Sequence, residues 1–261
     1  HPLAFVRRKA GTLGKTLDRL LDASNHRYQQ LVHEADGERD PEALFKRAVQ
    51  LAIRAAGREA QGTGSLLVYR TSDMNSSDFR KLALGEELDV HEENPPLGLG
   101  GFYRFVKEAD YRTLLRWELE VVAELRREFG ELAVELTDVR DLDHLNTALD
   151  VLREVGLEPG QDGFQLGLRM DNPDNYLLAS DYMERGRLSF VAVDQRHLSQ
   201  TYLAADRGNA FVPVDDTVAT QNLVLPINMI KQAAHDAGVQ WVVPANALLM
   251  PMQADISAAV E

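Results

Sequence analysis

The sequence predicts an α/β protein built on parallel strands, and three observations carry that reading. Apolar runs of strand length alternate several times with amphipathic segments of helical length. No hairpin turn signal joins one apolar run to the next, so successive strands need the crossover connections of a parallel sheet. An apolar content of 44% over 261 residues is enough for a substantial core. Spacing alone leaves a closed barrel and an open sheet equally open. No 20–50-residue repeat, low-complexity tract or linker interrupts the chain, so residues 1–261 read as a single domain.

The elements follow in order. Leu13, Leu17, Leu20, Leu21, Tyr28 and Leu31 recur at helical spacing and predict a helix over 13–34. His26 and His33 lie on it, seven apart, as a metal pair or as surface and packing residues. Asp40-Pro41 is a cap followed by Pro at the first helical position, and it opens a second helix lined by Leu44, Ala48, Val49, Ala52, Ile53 and Ala56. Gly62–Gly64 then turns into a strand at 66–69. A long irregular stretch, Thr71–Pro96, precedes an amphipathic helix over 107–129 that Gly130 stops. A strand at 132–136, a helix near 141–155 and a strand at 164–169 come next. Asn172-Pro173 starts another helix, and a strand covers 188–193. A helix over most of 217–237, kinked or restarted at Pro226, leads to the last clear strand at 241–243.

Composition narrows the function classes. With 28 Lys+Arg against 41 Asp+Glu the net charge is −13, which opposes a general role on nucleic acid or anionic membranes. No apolar run approaches the ~20 residues of a membrane span. The chain has no Cys, so disulfides, thiolate metal sites and Cys nucleophiles are excluded together, and a cytoplasmic protein is expected. Phosphate-loop, serine-hydrolase and zinc-protease signatures are absent.

The most informative stretch is 66–105. An apolar strand, Leu66–Tyr69, delivers Arg70 at its carboxyl end and a long loop follows, which is how an α/β protein presents an anion-binding side chain. The plainer alternative is an ion pair between Arg70 and a nearby carboxylate. Arg70, Ser72, Asp73, Arg80, Leu82 and Gly85, then Glu92-Glu93-Asn94-Pro95, Leu97-Gly98, Gly101 and Arg104, fall in one register on a longer pattern. That pattern is a strand ending V-R, then S-D-x-K and L-x-G-G, then E-E-N-P-M-L-G-x-R-G-x-x-R-Y. On these residues the chain resembles the carboxy-terminal phosphoenolpyruvate/pyruvate-binding barrel of phosphoenolpyruvate synthase and pyruvate phosphate dikinase.

The resemblance implies a (β/α)8 barrel of TIM type, incomplete or irregular at the seam between first and last strands. His1–Val6 resembles the segment after the family's first strand, and Met250–Glu261 is a poor copy of its last. About six of the eight strands are then expected. The carboxyl tail, a second copy, or a partner domain or segment outside these 261 residues would cover the seam.

In the family two carboxylates hold a divalent metal, arginines bind phosphoryl and carboxylate groups, and a Cys protonates the enolate. Here Asp171 stands for the first carboxylate, one methylene shorter, or it is an ordinary helix-start residue. His197 stands for the second, Arg196 for the preceding Asn, and Gly100 for one arginine. The Cys segment falls at Pro244–Ala247, without a Cys. Imidazole is a poor Mg²⁺ ligand, so no metal or other cofactor is expected unless Asp171 or the nearby Asp194 keeps a Mg²⁺ site.

No residue is therefore assigned to catalysis, and whether the chain is an enzyme stays open at this point. Arg70, Asp73, Asn94, Asp171, Arg196, His197 and Gln200 are the candidate ligand-binding residues, for a small carboxylate or phosphate. Arg196-His197 reads equally as a solvated turn. The leading expectation is a degenerate barrel that binds a small anion or serves as a regulatory or interaction module. The alternative is a phosphotransferase or lyase of altered chemistry acting on an α-keto acid.

Overall fold

In the computed structural model the described residues are 40–63, 66–81, 86, 89–130, 132–206 and 221–242. Helix α1 spans Pro41–Thr63 and strand β1 Leu67–Arg70. Helices α2 (Ser76–Arg80), α3 (Gly101–Lys107) and α4 (Ala109–Phe129) precede β2 (Leu132–Leu136). Then come α5 (Leu142–Glu154), β3 (Leu166–Met170), α6 (Pro173–Leu177), α7 (Ala179–Gly186) and β4 (Phe190–Val193). The run ends with α8 (Gln195–Leu203), α9 (Val224–Ala237) and β5 (Gln240–Val242).

All strand pairs are parallel, in the sequential order β1-β2-β3-β4-β5. Right-handed crossovers in that order put every connecting helix on one side and curl the sheet into a barrel arc. The alternation of side chains fits this. Leu132, Val134 and Leu136 of β2, Leu166, Leu168 and Met170 of β3, and Val191 and Val193 of β4 join the apolar core. Glu135 and Arg169 sit between them on the opposite, concave face. Farther down that face the Phe190 ring lies over Gly167, where any larger residue would collide with it.

The described residues supply five strands rather than about six, and β1 and β5 are the outer strands of an open arc. The helix over 13–34, its two histidines, His1–Val6, Pro244–Ala247 and the carboxyl tail lie outside the described residues.

Several sequence boundaries shift for physical reasons. The buried line of α1 is Phe45, Val49 and Ile53, whereas Ala52 and Ala56 are exposed. Phe45 anchors that face because its ring packs 5.9 Å from Trp117 of α4. Trp117, Glu118 and Leu119 are all buried, because α4 is covered by both the sheet and α1. The break before α4 falls at Glu108, separating α3 from it. The Thr71–Pro96 stretch is less irregular than its composition implies. Asn75 caps α2 by accepting from the Asp78 N–H, while Asp78 accepts from the Asn75 N–H, a reciprocal capping box. The restart expected at Pro226 falls at Leu223, with Pro226 in the tolerated first turn of α9.

Candidate functional site at the carboxyl ends of the strands

The strands end in opposite charges that pair across the sheet. Glu135 Oε1 lies 2.6 Å from Arg169 Nη2 and 3.4 Å from Arg70 Nε. Arg169 Nε also donates to Glu135 Oε1 at 2.8 Å. Arg169 Nη1 reaches Asp194 Oδ2 at 3.4 Å, and Arg70 Nη1 reaches Asp73 Oδ2 at 3.2 Å. Strands β1, β2 and β3 and the residue that follows β4 thus contribute Arg70, Glu135, Arg169 and Asp194, a ladder of alternating sign closed at one end by Asp73. Arg169 and Glu135 are buried, whereas Arg70 is half exposed, so the Glu135–Arg169 rung is the strong one.

A narrow cleft of about 70 Å³ opens beside the ladder, between Asp73, Asp138, Arg140, Asp171, Asp194 and His197. Arg140 holds Asp138 in a two-pronged pair, Nε to Oδ1 at 2.7 Å and Nη2 to Oδ2 at 2.9 Å. It also donates to the carbonyls of Leu97 and Gly98, at 3.1 and 2.6 Å, and its guanidinium lies 4.1 Å from the Tyr103 ring centroid. Asp138 adopts φ 53, left-handed backbone for a non-glycine residue. Beside it Gly101 has φ +41, and a Cβ there would approach Asp138 Cβ to 2.6 Å, so this crossing admits only glycine. At Gly100 a Cβ would stand 3.3 Å from Asp138 Oδ2. The family's arginine position is therefore faced here by a carboxylate that Arg140 neutralises.

Burial raises two acids at this mouth toward neutrality. Asp171 is pushed up to about 7, by desolvation first and by the Asp194 charge second, against an opposing hydrogen bond from Asn172. Asp138 rises to about 6, again by desolvation, with Arg140 pulling it back and Asp171 pushing it up.

The candidate residues fall in different places. Asp73, Asp171 and His197 line the cleft. Arg70 sits next to it in the ladder, realising the ion-pair alternative. Arg196 is exposed, and with His197 it donates its backbone N–H to Asp194 Oδ1, both at 3.0 Å. Asn94 is exposed at the start of the short 3-10 turn Pro95–Leu97. Gln200 is fully buried and donates to the Pro96 carbonyl at 3.4 Å.

Sequence reasoning missed Glu135, Arg169, Asp138 and Arg140. A signal existed for the first two: one charge of each sign inside the otherwise apolar runs Leu132–Leu136 and Leu166–Met170.

The divalent ion that the resemblance implies does not fit these side chains. Asp194 spends Oδ1 on capping α8 and turns Oδ2 to Arg169. Asp171 Oδ1 accepts the Asn172 amide at 3.3 Å. Mg²⁺ requires an octahedron of oxygens, some of them waters, and here the Arg169 guanidinium already occupies the position of a counter-charge. Among the described residues no group of three or more His, Cys, Asp or Glu is arranged to hold a metal. No helix among them is long and apolar enough to cross a membrane.

Comparison with known proteins agrees with this frame. The chain is 29% identical over 148 residues to phosphoenolpyruvate synthase of Helicobacter pylori, covering 56% of this chain and 18% of that protein. It is 33% identical over 147 residues to a protein named probable phosphoenolpyruvate synthase of Methanocaldococcus jannaschii, covering 56% and 12%. To phosphoenolpyruvate synthase of Escherichia coli it is 28% identical over 166 residues, covering 60% and 21%. The match thus spans about a fifth or less of these relatives' length. Residues 30–245 match the family model described as PEP-utilising enzyme, PEP-binding domain, whose fold is a (β/α)8 barrel. By that match, over most of its length, the chain belongs to the PEP-binding domain family of the PEP-utilising enzymes.

Proposed function

We propose that this chain is a phosphoenolpyruvate synthase-type barrel that no longer performs the parent phosphotransfer and acts as a cytoplasmic regulatory or interaction module. The observation that carries this reading is Glu135 seated between Arg70 and Arg169. A small carboxylate or phosphate would need those guanidiniums, and a resident carboxylate already holds them. With Asp73 and Asp194 added, the ladder carries one more negative than positive charge, so the mouth does not attract anions. The proton donor of the parent reaction is a Cys, and the sequence has none.

Calorimetry with phosphoenolpyruvate, pyruvate and oxalate, with and without Mg²⁺, is expected to give no binding at millimolar ligand. Glu135→Gln frees the two arginines and is expected to create metal-independent oxalate binding. Tight Mg²⁺-dependent oxalate binding by the parent chain would sink the proposal. One observation favours a second reading, an enzyme of altered chemistry on an α-keto acid. Asp171 and Asp138 are raised toward neutrality, and His197 lines the same cleft. Turnover of such a substrate, lost in His197→Ala, would establish that reading instead.

As an interaction module the chain would engage a second copy, or a partner domain, along the outer edge of β1. There Leu66 and Val68 are 36% and 38% exposed. Light scattering of the 261-residue chain is expected to show a concentration-dependent dimer, or a monomer that shifts on adding the partner domain. A monomer indifferent to concentration and to candidate partner domains would count against this surface.

A further inference from the structure

A second hollow lies beside β1 and the Arg70–Asp73 end of the charge ladder, bounded by α1, α3, α4 and the loop that follows β1. Its volume is about 380 Å³, within the range of small-molecule sites. Phe45, Met74, Phe105 and Leu114 supply apolar walls. Glu118 of α4 lines the same hollow and is only 6% exposed. Its carboxyl is met by the Tyr69 hydroxyl and the Ser72 backbone N–H, yet Oε2 has no hydrogen-bond partner. A buried carboxyl oxygen left without a donor is costly, and such exceptions in a folded protein need a reason. Arg70, the guanidinium that lines the same hollow, is already turned to Asp73 and Glu135. What the hollow lacks is therefore a hydrogen-bond donor at its acidic end and an apolar body along its walls.

We propose that this hollow binds a small amine with an aryl or branched-alkyl body, its ammonium group received by Glu118 and its body by Phe45, Phe105 and Leu114. The cation that lines the hollow, Arg70, is already engaged by Asp73 and Glu135, so an anionic ligand would meet the Glu118 carboxyl with no unengaged charge to offset it, and a wholly apolar one would leave Oε2 unpaired. Asp73 lines both this hollow and the cleft at the strand ends, so an occupant here bears on the Asp73–Arg70 end of the ladder. The inference is independent of what the cleft itself does.

Calorimetry of the full chain with phenethylamine, phenethyl alcohol and phenylacetate tests it. The amine is expected to bind at least about tenfold more tightly than its neutral and anionic counterparts, as a charge-assisted bond to a desolvated carboxylate requires. Glu118→Gln keeps the volume and removes the charge, and it is expected to lose about the same factor while unfolding as cooperatively as the parent. The ionisable groups lining the hollow are Tyr69, Arg70, Asp73 and Glu118. Burial pushes the Glu118 carboxyl up to about 7. Amine affinity is therefore expected to fall on going from about pH 8 to about pH 6, and this fall should vanish in Glu118→Gln. No binding of phenethylamine at millimolar concentration would overturn the proposal. Equal binding of all three probes, or unchanged affinity in Glu118→Gln, would do the same.

Discussion

Replacing Arg104 by Ala is expected to cost about 3–5 kcal/mol of folding stability, because it strands a buried carboxylate. Arg104 is 1% exposed, and its guanidinium grips Asp89 with both prongs, Nη1 to Oδ2 at 2.7 Å and Nη2 to Oδ1 at 3.1 Å. Nη1 also donates to the Tyr111 hydroxyl at 2.8 Å, and the plane lies 4.7 and 4.6 Å from the Phe79 and Tyr111 ring centroids. Three elements meet here: α3 supplies Arg104, α4 supplies Tyr111 and α2 supplies Phe79. Lys cannot reproduce two parallel donors or the flat contact with two rings, so Arg104→Lys should lose most of the same energy. The pair is costly to break and cheap to replace as a whole. Arg104→Met combined with Asp89→Leu should therefore recover most of the loss. Urea unfolding of the parent and these three variants measures it, through a lower midpoint at an unchanged slope. A loss under about 1 kcal/mol in Arg104→Ala would show that the pair contributes little here.

This same cluster explains what was legible in the sequence. Arg104 and Glu92 belong to the stretch on which the family resemblance rests, and both turn out to hold the frame. Glu92 accepts the Leu99 N–H at 3.0 Å and a short hydrogen bond from the Ser76 hydroxyl, and it packs so close to Gly98 that a Cβ there would displace its carboxylate. The alternation of strands and helices, helix starts at Pro41 and Pro173, and the stop at Gly130 were legible because caps and periodicity act locally. The mouth was not. Glu135 and Arg169 are 34 residues apart and meet only because β2 and β3 pair in a particular register. Arg140 was invisible for a related reason: it acts by folding back on Asp138 and on carbonyls some forty residues earlier. Local patterns report which face a side chain takes, and they are silent on which distant charge shares that face.

Stability is expected to fall as pH rises from about 5 to about 8, the reverse of the usual behaviour of acids held in ion pairs. Glu118 rises from 4.5 to about 7, chiefly through burial, with the Tyr69 and Ser72 donors pulling the other way. Asp171 and Asp138 rise for the same leading reason, and because they interact they titrate as a pair. The folded chain therefore keeps protons that the unfolded chain releases. A raised carboxyl contributes its stability fully below the unfolded value, and loses that contribution as pH climbs through the folded one. For Glu118 alone the shift corresponds to roughly 3 kcal/mol between the ends of that window. Glu118→Gln removes the ionisation and keeps an acceptor for Tyr69 and Ser72, but it buries an amide N–H₂ with no partner, at a cost of about 1–2 kcal/mol. The variant is thus expected to be less stable than the parent near pH 5, more stable by about 1–2 kcal/mol near pH 8, and to cross it in between. Asp171→Asn should flatten the remaining slope, because it removes the more strongly raised member of the pair. Unfolding midpoints measured across the window decide the matter, and a parent chain that gains stability toward pH 8 would show that these carboxyls are ionised and paired in the folded state.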